Sequence, residues 1–359
     1  MVCFVRRSSI DYDIRLRKYV EACLETNVPY IAITWDRQKN STNTYLNEFQ
    51  YKIEAPYGGG LKNFIAIIGW LVFMYYKLLF NWRHYKIIHA CNLETYIFVL
   101  PLKLLGKKIV FDIYDSMNVK LEKQIAKYAD VLILPHRERL KQIGLEESDV
   151  ERYMTIENVP KFEGNKIKKK EVEFPNLIHL SYVGILERNI RGLENMLEIV
   201  MSDNRFFLDI AGVGGGLESL VQKCQSKCER IRYFGKVDYV KALNIMANSD
   251  FIVAQYYPSH VLHKFASPNK YYESLYLSTP IITSEKTLVG EQVLKNNIGY
   301  VINDTKEAFV NIFNNVEEDS FYSEYKMKQK KCSLLWDSMY KSYFDNNIKG
   351  EYIKLIESL

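Results

Sequence analysis

The sequence predicts an α/β protein of two doubly wound domains facing each other across a cleft. Three observations carry this. Short apolar strands alternate with helices, a charged segment interrupts the alternation once, and the same alternation then restarts. The chain has 359 residues, enough for two domains of ordinary size. With 48% hydrophobic and 25% charged residues its composition is that of a soluble globular protein with a large core. The formal net charge of +5 is too small an excess to argue for nucleic acid. It suits an anionic substrate or an anionic membrane surface.

The first half opens with strand "VCFV", followed by the amphipathic helix "DIRLRKYVEACLE" with Ile14, Tyr19, Val20 and Cys23 at its apolar positions. Strands "YIAITW", "KIIHAC" (86–91), "KKIVFDIY" (107–114) and "ADVLILP" (129–135) follow, with helical stretches between them. The run "KFEGNKIKKKEVEFPN" (161–176) is charged, lacks an apolar period and reads as a linker. The second half gives strands "IHLSYVG", "FFLDIAG", "RIRYFG", "DFIVAQYY", "PIITS" and "GYVI", again separated by helices. The expected domains are 1–163 and 177–330, joined by a linker at 164–176, with further helices over 331–359. In such sheets ligands sit beyond the carboxyl ends of the strands, where loops lead into helices.

Several features read as structural. Six scattered cysteines, including Cys224 and Cys228 one helical turn apart, complete no zinc set and read as reduced thiols of a cytosolic protein. "MVCFVRRSSIDYD" reads as a buried strand running into a polar loop, not as a signal peptide. Asp11-Tyr12-Asp13 precedes the first helix, where acids cap helices, and is not expected to hold a metal. The stretch "NFIAIIGWLVFMYYKLLFNW" (63–82) approaches the length of a membrane span. Its place between the loop "YGGG" and a strand, with Lys77 inside it, favours a buried crossover helix. The aromatic residues beside Lys77, Arg83 and Lys86 also suit peripheral contact at a lipid interface.

Three strand-exit loops of the second half suit an anion. In "ASPNKYYE", Ser267 is suited to cap a helix and Pro268 to its first position. The amides of Asn269, Lys270 and Tyr271 would then point out of the helix start, where a phosphate is favoured. Lys270 adds a full charge, and Glu273 shares its face and can accept from a vicinal diol such as a ribose. "YVGILERNIRGLE" (182–194) turns at Gly184 and presents Arg191, a fork suited to a diphosphate. "DIAGVGGGLESL" (209–220) exits through Gly212, Gly214, Gly215 and Gly216, which would let a ligand approach the backbone. In the first half His89, Asp112 and Asp115 stand at strand ends. His89 would touch a sugar hydroxyl and Asp112 would act as base in an inverting reaction, although residues so placed are more often hydrogen-bonded structural groups. Ser8, Ser9 and Arg15 would contact an acceptor.

Residues from about 180 to 302 resemble the donor-binding domain of GT-B-fold glycosyltransferases, in particular the large retaining family 4. The resemblance rests on "YVG…RG" (182–192), "LDIAGVG" (208–214), "RYFGKV" (232–237), "SDFIVAQYYP" (249–258) and "ASPNKYYESLYLSTPIITSE" (266–285), in the family's order. The first half resembles the acceptor domain more loosely, and "LLWDSMYKSYF" is similar to the helix that crosses back to it. The resemblance implies sugar transfer from a nucleotide-diphosphate donor without cofactor or essential metal. It places Glu273 at the ribose, and Arg191 where the family holds the diphosphate with lysine. Gly212 and Gly214 would lie near the nucleotide, and "FGKV", with Gly235 and Val237, would border the base.

Two positions depart from the family. Ile185 stands where an arginine often follows the glycine, with Arg188 as a substitute. Phe265 stands where the family's first glutamate is expected, so either Ser267, Asn269 and the helix start take over its role or catalytic capacity is reduced. The acceptor implied is a glycan or polyprenyl-linked glycan of a cell-surface polysaccharide, worked on in the cytoplasm at the inner face of the membrane. A catalytically silent partner subunit and a nucleotide-sugar epimerase of the same fold are the alternatives. A dehydrogenase is disfavoured, because no G-x-G-x-x-G follows the first strand.

Overall fold

The computed structural model describes all residues except 38, 40, 42–44, 56–59, 117, 151, 163–166, 168–176 and 261. Nearly all of the linker assigned at 164–176, and most of the "YGGG" loop, lie outside the described residues. The chain forms two units, Met1–Lys161 with Ser342–Leu359, and Phe162–Lys341.

The first unit holds a seven-stranded parallel sheet of β1 (Val2–Arg6), β2 (Tyr30–Trp35), β3 (Glu48–Tyr51), β4 (Ile87–Cys91), β5 (Lys108–Asp112), β6 (Val131–Leu134) and β7 (Tyr153–Thr155), in the order β3-β2-β1-β4-β5-β6-β7. Its central strands are apolar at nearly every position because helices cover both faces of a parallel sheet. The short edge strands β3 and β7 escape sequence reading. Each has three or four residues, with polar or half-buried positions that give no apolar run. Helix Ile14–Glu25 is capped by Asp13, which accepts from the Leu16 amide at 2.9 Å and pairs with Arg6 at 2.6 Å. Asp11 accepts from Ser41 at 2.6 Å.

Helix Leu61–Phe80 corrects one expectation. It packs only one stripe on the sheet, through Ala66, Trp70, Met74 and Leu78, with Trp70 stacked on Trp35 at 6.0 Å. The opposite stripe is exposed although it is also apolar.

The second unit repeats the plan with β8 (Ile178–Val183), β9 (Phe206–Ala211), β10 (Ile231–Tyr233), β11 (Phe251–Ala254), β12 (Ile281–Ser284) and β13 (Gly299–Ile302), in the order β10-β9-β8-β11-β12-β13. Both sheets follow the doubly wound sequence in which strand order reverses beside the first strand. In the second unit that reversal lies between β8 and β11. In open α/β sheets ligands bind beside such a reversal, at the carboxyl ends of the strands. Helix Asp319–Leu335 belongs to this unit and continues through π-helical turns over Trp336–Tyr340. The last residues, Ser342–Leu359, pack with the first unit. There Tyr343 accepts from the Glu157 amide at 2.7 Å and Lys349 pairs with Glu25 at 2.9 Å.

Candidate functional site

At the carboxyl edge of the second sheet the exits of β8, β9 and β10 are knitted to one another. The Gly184 amide donates to Ala211, the Gly212 amide to Gly235 at 2.8 Å, and the Leu186 amide to Gly214 at 3.0 Å. Gly212 has φ +135°, and a Cβ there would fall 1.7 Å from the Gly184 carbonyl oxygen. A Cβ on Gly215 would fall 2.5 Å from the Leu186 oxygen. The close approach permitted by these glycines packs loop against loop. The Gly214 amide is also engaged, donating to the Glu218 carboxylate at 2.5 Å. Arg188, the substitute considered for the missing arginine, donates to the Gly216 carbonyl at 3.1 Å, while Ile185 stands exposed. Gly235 takes φ +63° with nothing close to its missing Cβ, and Val237, two residues on, is half-buried.

Arg191 and Gly192 lead into helix Leu193–Ser202. The Arg191 guanidinium donates to Glu187 at 2.6 Å and lies 4.9 Å from the centroid of the Tyr256 ring, just beyond β11. Burial, opposed by Arg191 and supported by Glu273, pushes the Tyr256 phenol up to about 12, so it stays a neutral donor. The charges of Arg191 and Glu273 both act on this phenol. His263 meets Tyr256 edge-on at 5.6 Å and His260 at 4.5 Å. Burial, then Arg191 and His260, hold His263 down to about 4, so its ring is neutral near pH 7.

The helix start differs by one residue from the sequence reading. Pro268, not Ser267, is the N-cap, and the helix spans Asn269–Leu277. Ser267 is buried, with its hydroxyl 3.5 Å from that of Tyr272. The Tyr271 amide donates to the Pro268 carbonyl at 3.2 Å, so the amides of Asn269 and Lys270 are those that open the helix. Lys270 donates to Glu273 Oε2 at 2.5 Å. Glu273 is 1% exposed, and the Lys270 head remains 16% exposed. The Tyr239 hydroxyl is buried without a hydrogen-bond partner, and burial together with the adjacent Glu273 carboxylate raises its pKa. Lys270 thus takes one oxygen of Glu273, and the Tyr239 phenol stands beside the same carboxylate. Phe265 is half-buried under Lys264, 5.7 Å from its ring, and contributes no acid.

Sequence reasoning named Arg191, Lys270 and Glu273 and missed Glu187, Tyr239, Tyr256 and His263. Glu187 carried a signal, four residues ahead of Arg191. The other three carried none: Tyr239 opens the helix Tyr239–Ala247, and Tyr256 and His263 lie in the connection between β11 and helix Asn269–Leu277.

In the first unit the acceptor-side candidates are corrected. Asp112 is fully buried and saturated. Arg15 grips both its oxygens at 2.8 and 3.0 Å, Tyr19 donates at 2.8 Å, and His89 Nε2 lies 3.4 Å away. Burial works against its charge, but Arg15 and His89 prevail and hold it down at about 2. A carboxylate so held is no general base near neutrality. His89 is equally buried, and burial keeps its pKa below the usual value. Its Nδ1 pairs with the Tyr352 hydroxyl at 2.8 Å. Arg15 also donates to the Ile156 carbonyl at 2.6 Å, and Ser9 is buried, so neither is open to an acceptor. Only Asp115 is exposed, at 72%, with Arg139 4.0 Å away. Among the described residues, no three His, Cys, Asp or Glu side chains gather as a metal set.

A pH dependence follows from His263. Its folded pKa lies below the ordinary 6.5, so the unfolded chain binds a proton that the folded one refuses between pH 6.5 and 4. Stability should therefore fall as pH drops through that window. A His263→Asn variant, followed by urea unfolding, should show a shallower decline.

No family model and no curated protein matches the sequence. Solved structures do match over the full chain. Anabaena HepE in complex with UDP-glucose aligns with TM-score 0.72 at 12% identity, covering 100% of each chain. The lipopolysaccharide outer core galactosyltransferase WaaB aligns with TM-score 0.66 at 15% identity, over 98% of this chain and 99% of that one. Sucrose-phosphate synthase from Thermosynechococcus elongatus aligns with TM-score 0.70 at 14% identity, over 100% and 99%. At such identities the likeness is one of fold, and the fold is that of GT-B glycosyltransferases, two Rossmann-like α/β domains in one chain.

Proposed function

We propose that this protein is a glycosyltransferase that moves a sugar from a nucleotide-diphosphate donor to a glycan or lipid-linked glycan acceptor. The observation that carries the proposal is the grouping of Lys270, the opening amides of helix Asn269–Leu277 and Arg191 with the buried Glu273, beside the point where strand order reverses. HepE, which shares the fold, is described in complex with UDP and with UDP-glucose.

Breaking the sugar–phosphate bond builds negative charge on the departing diphosphate. Lys270, Arg191 and the Asn269 and Lys270 amides answer that charge. Without ligand each cation is quenched by a carboxylate. Glu187 is a third exposed and can swing away when phosphate arrives, whereas buried Glu273 stays and keeps Lys270 aimed. Glu273 Oε1 would accept a ribose hydroxyl. In this reading the reaction retains configuration and needs no metal, and the leaving phosphate takes the acceptor proton. The acceptor belongs to a cell-surface polysaccharide assembled at the cytoplasmic face of the membrane.

The experiment is a thermal-shift panel with UDP, GDP and ADP. A nucleotide at 100 times its Kd should stabilise the protein by about 2.7 kcal/mol. Silence toward all three would remove the donor site. Binding without turnover would favour a silent partner subunit, the reading kept open by Phe265. Donor conversion with no acceptor present would favour an epimerase.

A further inference from the structure

Helix Leu61–Phe80 is apolar on both sides, and the two sides have different partners. The inner stripe is part of the first unit's core. The outer stripe carries Phe64, Ile65, Ile68, Val72, Leu79 and Phe80, all exposed, with Phe80 at 74%. With Tyr76 also exposed, Ile65, Ile68, Val72, Tyr76 and Leu79 recur every three or four residues and form one band along a helix of 20 residues, roughly 30 Å long. Contiguous exposed apolar surface of this kind marks an interaction site, unlike apolar residues scattered singly.

Further exposed apolar residues stand near the segment that follows the helix. Lys107 donates to the Trp82 and Tyr85 carbonyls, both at 2.6 Å, and so brings the turn over Leu100–Leu105 against the helix terminus. Leu104 on that turn is 89% exposed and Leu105 64%. The Lys103 side chain reaches on to the Tyr128 carbonyl at 2.9 Å, and Tyr128 is itself exposed.

Charge decides what kind of surface this is. From Ala55 to Leu93 the sequence holds no aspartate or glutamate, while Lys62, Lys77, Arg83 and Lys86 lie within it. Arg83 and Lys86 are exposed just beyond the apolar band, and half-buried Lys103 and exposed Lys108 stand on the adjoining turn and strand start. Asp130 pairs with both of those lysines and is 4% exposed, so the outward charge is cationic. An apolar band edged by cations and free of acids matches an anionic lipid surface, with acyl chains against the band and headgroups against the rim. It does not match a crossing helix, because removal of the inner stripe from the sheet would open the core.

We infer that the outer face of helix Leu61–Phe80, with the Leu104–Leu105 turn, is a docking surface for an anionic lipid membrane, along which the helix lies in the plane of the interface. The inference stands independently of the sugar-transfer reading, since no residue of the candidate donor site is involved.

The test is flotation of the full chain with vesicles of phosphatidylcholine, with or without phosphatidylglycerol. The protein should float with the mixed vesicles and bind phosphatidylcholine far more weakly. Replacing Ile65, Ile68, Val72 and Leu79 together by serine should lower binding more than about tenfold. Arg83→Glu with Lys86→Glu should lower it on mixed vesicles only, and added salt should do the same. Unchanged melting temperature and nucleotide response in both variants would show that the fold and donor site are intact. A variant that melts early is replaced by the single change Phe80→Ser, at an exposed position at the end of the helix. Failure of the parent to float with either vesicle would overturn the inference, as would binding unaffected by the substitutions. A parent that sediments as a dimer, and is made monomeric by the serine variant, would assign the band to a second copy instead.

Discussion

Replacing Lys270 with alanine should lower sugar transfer about 10²–10³-fold, the effect of removing one donor to a developing oxyanion. The nucleotide-induced rise in melting temperature should disappear with it. The fold should survive, because Lys270 sits in the first turn of its helix with its head partly in solvent, and the Tyr239 phenol is at hand to donate to Glu273. The comparison that isolates charge stabilisation is Glu273→Gln, which leaves Lys270 present but unaimed. It should weaken nucleotide response while retaining more turnover at saturating donor than Lys270→Ala. Steady-state transfer assays separate the two. A Lys270→Ala enzyme with the parent's turnover would show that the leaving group is held elsewhere.

Removal of Asp112 should have the largest effect on stability. Asp112→Ala leaves the Arg15 guanidinium buried without its bidentate partner, and breaking such a pair from one side costs about 3–5 kcal/mol. For a unit of this size that is a fall in melting temperature of roughly 10 °C. The double variant Arg15→Met with Asp112→Leu should recover much of the loss, because no uncompensated charge remains. Acid should expose the same interaction. With a folded pKa of about 2 against an ordinary 3.8, the Asp112 carboxylate contributes its full stability above about pH 4, and that stability is lost as pH falls through 2. The parent should therefore lose more stability than Asp112→Ala across this window. Denaturant titrations report it if the first unit's transition is followed by itself. A variant Asp112→Asn that melts like the parent yet no longer transfers sugar would reverse this and return Asp112 to the chemistry.

Phe265 bears on both the sequence reading and the mechanism. The acid expected at that position is missing, and the helix start that would take over its role contributes two open amides, with the Tyr271 amide satisfied by Pro268. Within the second unit, fixed positive charge near a diphosphate then comes chiefly from Lys270 and Arg191. That concentration of function in two side chains is why the Lys270 effect is expected to be large.

The sequence by itself determined the alternation of strands and helices, the six strands of the second unit and the trio Arg191, Lys270 and Glu273. These are local facts. A buried parallel strand is an apolar run, a helix start is written in a few adjacent residues, and Lys270 and Glu273 lie within one turn. The tertiary structure alone decided which glycines face another loop, that Tyr256 lies beside Arg191 and Tyr239 beside Glu273, and that Asp112 is a structural anion. It also decided that only one stripe of helix Leu61–Phe80 is core. Each of these depends on residues far apart in the chain: Tyr352 reaches His89, Arg15 reaches Asp112, and Gly212 meets Gly184. Periodicity reports whether a residue is apolar, but only packing against a distant neighbour removes it from water.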